Sequence, residues 1–388
     1  MTHTKEPEDA NALGSGRDFT SIEICAGAGG QAIGLHQAGF RHLALIEIDK
    51  YAVATLRENI EVHPKWEWER DNCDVLCQDV LEFEPERDLK KSAGLYRQGE
   101  VDLLAGGVPC PPFSHAGKQL GEDDERDLFP RILSLAELIR PRAVMIENVR
   151  GLMDAKFDDY RSRIRASLEE MAPTDDGLPG YEVVGWEVYE AEKFGVPQLR
   201  PRSILVAFRR DVLKDLKYEA PAPSAKRVSV FKALEKTMLE RIRPFENGPL
   251  AAQAQRVFDD WKRDAAKDVA PTLVGGSKKH GGADLGPSRA KKAWRALGVS
   301  GMGVANEPVD GKPTGTEDRD LFGDDGPMLT VRQAAIIQGF PTRWDFSGGK
   351  TAQYRQVGNA FPPPVAKAIG ESIIDVLRAA RERDQKKV

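Results

Sequence analysis

Between Phe19 and about Arg209, short and nearly continuous apolar runs alternate with stretches of helical periodicity, and this alternation constrains the fold most. TSIEIC, HLALIEI, VDLLAGG, AVMIEN, VVGWEVYEA and SILVAF read as strands. Runs that are apolar on both faces suit a mostly parallel sheet covered on both sides. QAIGLHQAG, YAVATLREN, DLFPRILSLAELI and YRSRIRASLEEMA read as the helices between them, with Gly39 closing the first. The pattern predicts an α/β fold with a doubly wound, mostly parallel sheet.

After Arg210 the pattern changes. From about Tyr218 to Pro327 the chain is rich in Pro, Gly and charge, which predicts a second, smaller domain of irregular structure. Pro363 to about Arg383 reads as a helix with Val365, Ile369, Ile373, Val376 and Leu377 on one face. That face needs a core, and the large domain is its natural partner. The expected division is a disordered tail over 1–18, a large domain over 19–213 plus 355–383, and a small domain with a hinge over 214–354.

Hydrophobic residues make up 40% of the chain and charged residues 30%, as in a globular protein. No apolar run is long enough to cross a membrane. The polar, acidic N-terminus resembles neither a secretory signal nor an Arg-rich transit peptide. Four cysteines, Cys25, Cys73, Cys77 and Cys110, point to free thiols in a reducing compartment, and hence to the cytoplasm. Cys73 and Cys77 have no companion Cys/His pair at zinc-like spacing, so no metal is expected. The net charge of −5 argues against a generic polyanion binder, yet charge is uneven. Between Pro271 and Ser300, Lys278, Lys279, Arg289, Lys291, Lys292 and Arg295 face a single acid, Asp284. A solvated basic face and a phosphate-binding surface are both open readings there.

Four motifs carry chemistry. ICAGAGGQAIG, Ile24 to Gly34, ends a strand and opens a helix; its glycines allow close backbone approach and the helix start favours an anion. It lacks the strict dinucleotide pattern, and a plain glycine turn is the bland reading. Glu47, at the end of the next strand, is placed to accept ribose hydroxyls, and Asp79 to hold an adenine amino group. Together these favour a nucleoside cofactor without a pyrophosphate. GGVPCPPFS, Gly106 to Ser114, puts Cys110 in a proline-stiffened loop at the carboxyl edge of the sheet, a position for a reactive thiol. MIENV ends another strand in Glu147, either an acid partner for the thiol or a helix cap paired with Arg150. QLRPRS sets Arg200 and Arg202 on one side of an extended segment.

ICAGAGG, GGVPCPPFS, ENV, QLRPR, RQAAIIQGFP and QVGNAFPPP occur in the order and approximate spacing of cytosine-5 DNA methyltransferases, and the resemblance covers about Phe19 to Arg383. It implies a large domain binding S-adenosyl-L-methionine, a small target-recognition domain, and double-stranded DNA in the cleft between them. Carried onto this chain, Cys110 is the nucleophile that adds to carbon 6 of a flipped-out cytosine. Glu147 bonds ring nitrogen 3, Arg202 donates to the 2-oxygen, and Arg200 orients Glu147 or meets the backbone. The cofactor would lie against Cys25, Ala26, Gly27, Gly29, Gly30, Glu47, Ile48, Asp79, Val80, Pro109 and Asn359. DNA would meet Ser114, the polar stretch His115 to Arg126 as a closing loop, Thr272 and Leu273 of a Thr-Leu recognition motif, and Lys278, Lys279, Arg289, Lys291, Lys292 and Arg295. Pro111 stands where the family usually has Gln, and Cys25 where an aromatic is common. The family also implies restriction-modification, a cognate endonuclease on the same site without direct binding, and a monomer able to work alone. The competing readings are a tRNA cytosine methyltransferase on the same scaffold, a silent DNA-binding module and a Rossmann-type dehydrogenase.

Overall fold

The computed structural model describes residues 19–108, 127–223, 225–275, 283–309 and 311–386. Seven strands form the main sheet: β1 (Phe19–Ile24), β2 (Phe40–Glu47), β3 (Asp74–Cys77), β4 (Leu103–Gly107), β5 (Ala143–Val149), β6 (Tyr181–Glu190) and β7 (Pro201–Arg209). Their order is β3-β2-β1-β4-β5-β7-β6, and β7 alone runs against its neighbours. The chain steps outward from β1 through β2 to β3, then resumes on the other side at β4. This reversal opens a crevice beyond the carboxyl ends of β1 and β4, where α/β folds place their ligands.

Helices cover both faces, as the apolar strands require. α1 (Gly30–Ala38) is closed by Gly39, whose φ of 114° lies in the left-handed region. α2 (Lys50–Val62) is capped by Asp49, which accepts hydrogen bonds from the Tyr51 and Ala52 amides. α3 (Phe129–Ile139) and α4 (Asp158–Glu169) pack over Ile22, Leu104, Val144 and Leu205 on one face.

The stretch expected to be irregular carries helices and a strand pair. α5 (Val230–Ile242), α6 (Ala251–Ala265) and α7 (Ser288–Arg295) lead to a small parallel pair, β8 (Ser300–Ala305) and β9 (Met328–Thr330). α6 buries only Ala254, Trp261 and Ala265, and α7 only Trp294, amid many charges, so low hydropathy hid their pattern. α8 (Val331–Gln338) starts in a reciprocal cap between Thr330 and Gln333, and α9 (Lys350–Asn359) follows. Trp344 packs with Leu56 and Trp66, and its indole N–H donates to the Ala28 carbonyl at 2.9 Å.

α10 (Pro363–Gln385) returns to the large sheet as expected, burying Val365, Ile369, Ile373, Val376 and Leu377 against Leu103, Ala105, Met145 and Val206. It crosses α1 at Gly34, where a Cβ would lie 2.4 Å from the Pro363 carbonyl oxygen. Its far end is anchored by Arg381, which donates to Asp102 at 2.9 Å and lies over the Phe19 ring. No helix among the described residues is long and apolar enough to cross a membrane.

Candidate active site

A cavity of about 870 Å³ occupies the crevice at the carboxyl edge of the sheet. Its first wall is the turn from β1 into α1. Cys25 and Gly27 adopt φ values of 52° and 54°, so the backbone folds over left-handed as it leaves the strand. The Ala26 amide bonds the Ile46 carbonyl at 3.0 Å, tying the turn to β2. Glu47, ending β2, accepts the Gly27 amide on one oxygen and the Asp49 amide on the other, each at 2.8 Å. Burial raises its pKa, and these amide bonds oppose the rise. The Ile48 amide also bonds this carboxylate, which leaves it a lone pair for a ligand hydroxyl. Ile48, Asp79 and Val80 line the same end, and Asp79 also caps the Leu81 amide at 2.9 Å.

Gly29 is not among the residues lining this cavity; a Cβ there would strike Leu56 at 2.8 Å and Trp344 at 3.0 Å. Its φ of 92° lets the chain enter α1, so its part is structural. Gly30 does line the cavity, and a Cβ would meet the Phe361 carbonyl at 2.3 Å, so the returning chain closes against it.

The second wall comes from β4, β5 and β7. Glu147 and Gly107 pair across β5 and β4, and a Cβ on Gly107 would approach Glu147 Oε2 to 3.0 Å. Arg202 Nε lies 2.7 Å from Glu147 Oε1, with both side chains mostly buried. Burial pushes the Glu147 carboxyl up, while Arg202 and then Arg200 pull it down; burial prevails. The next residue, Asn148, sends its amide N–H₂ to the Val108 carbonyl at 3.5 Å, bracing the chain where it enters the cysteine loop.

Arg200 does not touch this space as a free cation. Its guanidinium donates to the carbonyls of Leu273, Gly358 and Ala360 at 2.7, 2.8 and 2.9 Å. These carbonyls belong to two segments far apart in sequence, so Arg200 clamps the third wall together. Burial, then the neighbouring Arg202, works against its charge, and Glu147 supports it. Gln198 adds to the clamp: its carbonyl accepts the Leu273 amide at 2.8 Å and its N–H₂ donates to Gln338 at 2.6 Å. Backbone bonds Leu199 to Ala270 and Ala270 to Pro197 zip the two strips together, and the Thr272 hydroxyl donates to the Leu199 carbonyl.

Thr272, Leu273, Gly275 and Asn359 face the cavity from this third wall. Leu273 corrects the expectation of a DNA contact: its side chain is fully buried in the core, unavailable to a duplex. Of the basic residues, Arg289 and Lys292 are exposed on α7. Lys291 is bound to Asp284 at 2.7 Å and Arg295 to Asp325 at 2.8 Å, which reduces the positive surface the sequence promised. Pro109, Cys110, Ser114, Lys278, Lys279 and the stretch His115 to Arg126 lie outside the described residues. Cys73 is buried and Cys77 exposed.

The arrangement fits a nucleoside with an amino-acid end: an acid at the ribose position, an apolar edge at Ile48 and Val80, and an uncapped helix start. Residues 19–375 match the C-5 cytosine-specific DNA methylase family. The chain belongs to that family. The Type II methyltransferase M.NaeI of Lentzea aerocolonigenes is 44% identical over 91% of this chain and 74% of its own length. M.NgoMIV of Neisseria gonorrhoeae is 41% identical over 93% and 98%. The fold is shared with the Entamoeba histolytica methyltransferase EhMeth, at a TM-score of 0.56 and 14% identity over 93% of this chain and 99% of that one. The S. pombe Dnmt2 methyltransferase gives 0.52 and 16% over 94% and 99%.

The methylase transfers a methyl group from S-adenosyl-L-methionine to carbon 5 of cytosine in DNA. The dehydrogenase and silent-module readings fall away with the family. Sequence reasoning missed Gln198, Asn148, Glu23 and Gln31, all lining or bracing the cavity. Glu23 alone carried a signal: an acid in the middle of an otherwise buried strand.

Proposed function

We propose that the methylase acts on a cytosine swung out of duplex DNA, through a covalent adduct on Cys110, and that Glu147 and Arg202 hold the base. The buried Glu147–Arg202 pair beside the strand that leads to Cys110 is the observation that carries this reading. Carbon 5 of cytosine is a weak nucleophile until a group adds to carbon 6. The Cys110 thiolate forms that bond, and the displaced electron pair runs towards ring nitrogen 3. Glu147, biased to its protonated form by burial, meets nitrogen 3 with its hydrogen. Arg202 fixes that carboxyl and points a donor at the 2-oxygen, while Arg200 acts as a positioning residue through the third wall. The bound cofactor supplies an electrophilic methyl group. Loss of the carbon-5 proton then expels Cys110 and restores the ring.

Cys25, Ala26, Gly27, Gly30, Glu47, Ile48, Asp79, Val80 and Asn359 line the cavity, and we assign the cofactor to them. We assign residues 19–213 and 355–383 to catalysis, and 214–354 to target recognition and the hinge. Arg289 and Lys292 are its candidates for phosphate contact. Unstacking the base costs a few kcal/mol, which contacts in the pocket must offset. The Type II methyltransferase relatives support a place in a restriction-modification system; we further propose that a cognate endonuclease acts on the same site without binding the methylase, that one chain suffices, and that it works in the cytoplasm.

The test is transfer of labelled methyl groups to unmethylated duplex DNA, with Cys110→Ser and tRNA alongside, and bisulfite sequencing of the product. Label in one short DNA motif, abolished by Cys110→Ser, is expected. Label confined to tRNA, or undiminished in Cys110→Ser, would overturn the reading.

A further inference from the structure

Among the described residues, five carboxylates line the cavity, Glu23, Glu47, Asp49, Asp79 and Glu147, against three guanidinium groups, Arg200, Arg202 and Arg355. DNA is a polyanion, so a wall with this surplus of acid repels the strand that must enter it. Two of the three cations are already committed. Arg200 is spent on the carbonyls of Leu273, Gly358 and Ala360, and Arg202 on Glu147. Arg355 is not: partly buried, its side chain makes no hydrogen bond or ion pair with any described residue.

Its place is fixed by α9. Ala352, Arg355, Gln356 and Asn359 follow the spacing of one helix face and line the cavity, while Tyr354 and Val357 pack in the core. Gln356 ties this face down, accepting the Thr55 hydroxyl at 2.6 Å and donating to the Ser347 carbonyl at 2.9 Å. The same turn meets the strip that follows Thr272. A Cβ on Gly275 would lie 2.9 Å from the Arg355 carbonyl oxygen and 2.1 Å from Asn359 Oδ1. Arg355 therefore stands on the seam between the region assigned to catalysis and the region assigned to target recognition. Glu147 and Arg202 occupy another wall of this cavity. A nucleotide whose base reaches that pair leaves its sugar and phosphates towards the seam. A planar guanidinium with five donors suits two phosphate oxygens at once.

We infer that Arg355 binds a backbone phosphate next to the swung-out cytosine and so holds the target strand at the cavity. It acts on binding and placement of the strand, and the inference rests on the flipped-base reading. The cofactor carboxylate is the competing anion for this cation. The seam position, beside the strip through Thr272 and Gly275, favours the phosphate.

Wild type, Arg355→Gln and Arg355→Lys are first titrated with S-adenosylhomocysteine by calorimetry. Saturated with it, each is then titrated with a labelled duplex carrying the motif found by bisulfite sequencing. Anisotropy reads that binding from about 50 to 200 mM NaCl. Loss of a charged hydrogen bond predicts duplex binding about tenfold weaker or more in Arg355→Gln. The slope of log affinity on log salt should shrink by about 0.9, the share of one phosphate. Arg355→Lys should keep the slope and recover only part of the affinity, because an ammonium replaces the fork. A neutral methylphosphonate at one position flanking the target cytosine should weaken wild type but leave Arg355→Gln within about twofold. S-adenosylhomocysteine should bind all three proteins within about twofold, which also shows that the variants fold. An unchanged salt slope in Arg355→Gln would overturn the inference, as would methylphosphonate losses equal to those of wild type. Loss of S-adenosylhomocysteine binding with duplex binding intact would overturn it in favour of the cofactor carboxylate. Failure of wild type to bind the duplex would instead overturn the reading beneath it.

Discussion

Replacing Arg200 by Met tests whether this arginine acts as a clamp or as a chemical group. The substitution keeps most of the side-chain volume and removes the guanidinium from three carbonyl oxygens at 2.7 to 2.9 Å. Each buried acceptor left unpaired costs about 1–3 kcal/mol. Against that stands relief from burying a charge, which the lowered pKa of Arg200 shows to be substantial. Losing one side of a buried charged network typically leaves a net cost of about 3–5 kcal/mol. With about 2.1 cal/mol/K of unfolding entropy per residue, the 388-residue chain has roughly 0.8 kcal/mol/K, so Tm should fall by about 4–6 °C. Arg200→Lys should not rescue it, because one ammonium cannot span carbonyls on two segments. Scanning calorimetry measures the shift, and methyl transfer measured well below the new Tm gives activity. An unchanged Tm with activity abolished would refute the clamp and place Arg200 on the substrate.

Arg202→Met should lower kcat about 10²-fold or more, because Glu147 loses the partner that orients it, and should also lower Tm, because it leaves one half of a buried ion pair. Glu147→Gln should likewise abolish most transfer. Because burial raises the Glu147 pKa above 4.5, wild type holds its full contribution from this group below that pH and loses it as pH rises through the raised value. The stability of Glu147→Gln relative to wild type should therefore increase with pH over that window; a flat difference in urea midpoint would refute it. His42 has the opposite sign. Its ring is buried between the Ser21 hydroxyl and the Ala32 carbonyl, and burial lowers its pKa from 6.5 to about 4. Its contribution is complete above 6.5 and about 3 kcal/mol is lost as pH falls towards 4; His42→Gln should flatten that slope in chemical unfolding. Gly34→Ala should cost about 1–3 kcal/mol by forcing α1 off α10, read as a lower Tm.

The strands of the main sheet other than the short β3 were legible because each is a run of apolar residues ending at a loop; Glu47 closes β2, while β5 runs past Glu147 to Val149. α10 was legible because its apolar face repeats through Val365, Ile369 and Ile373. The helices after Tyr218 were not, since α6 and α7 bury one tryptophan each within strongly charged sequence. At the site, position along a motif did not reveal direction. Gly29 and Gly30 are adjacent, yet one faces the core and the other the cavity. Spacing puts Arg200 and Arg202 on one side of an extended segment, but only the tertiary approach of Leu273, Gly358 and Ala360 gives the first its three carbonyls.

The docking of α10 has a consequence for synthesis. The face of the sheet made by Leu103, Ala105, Met145 and Val206 is complete once β7 has emerged, but its cover is encoded about 150 residues later. At about 5–20 residues per second, that face waits on the order of ten to thirty seconds on the ribosome. For this interval the nascent chain carries a broad apolar surface that only a chaperone can shield. The second region is made during the wait, and its own helices must fold without settling on that surface. A truncation before Pro363 would leave the surface bare permanently, so such chains should aggregate even though every residue of the cavity up to Phe361 is present.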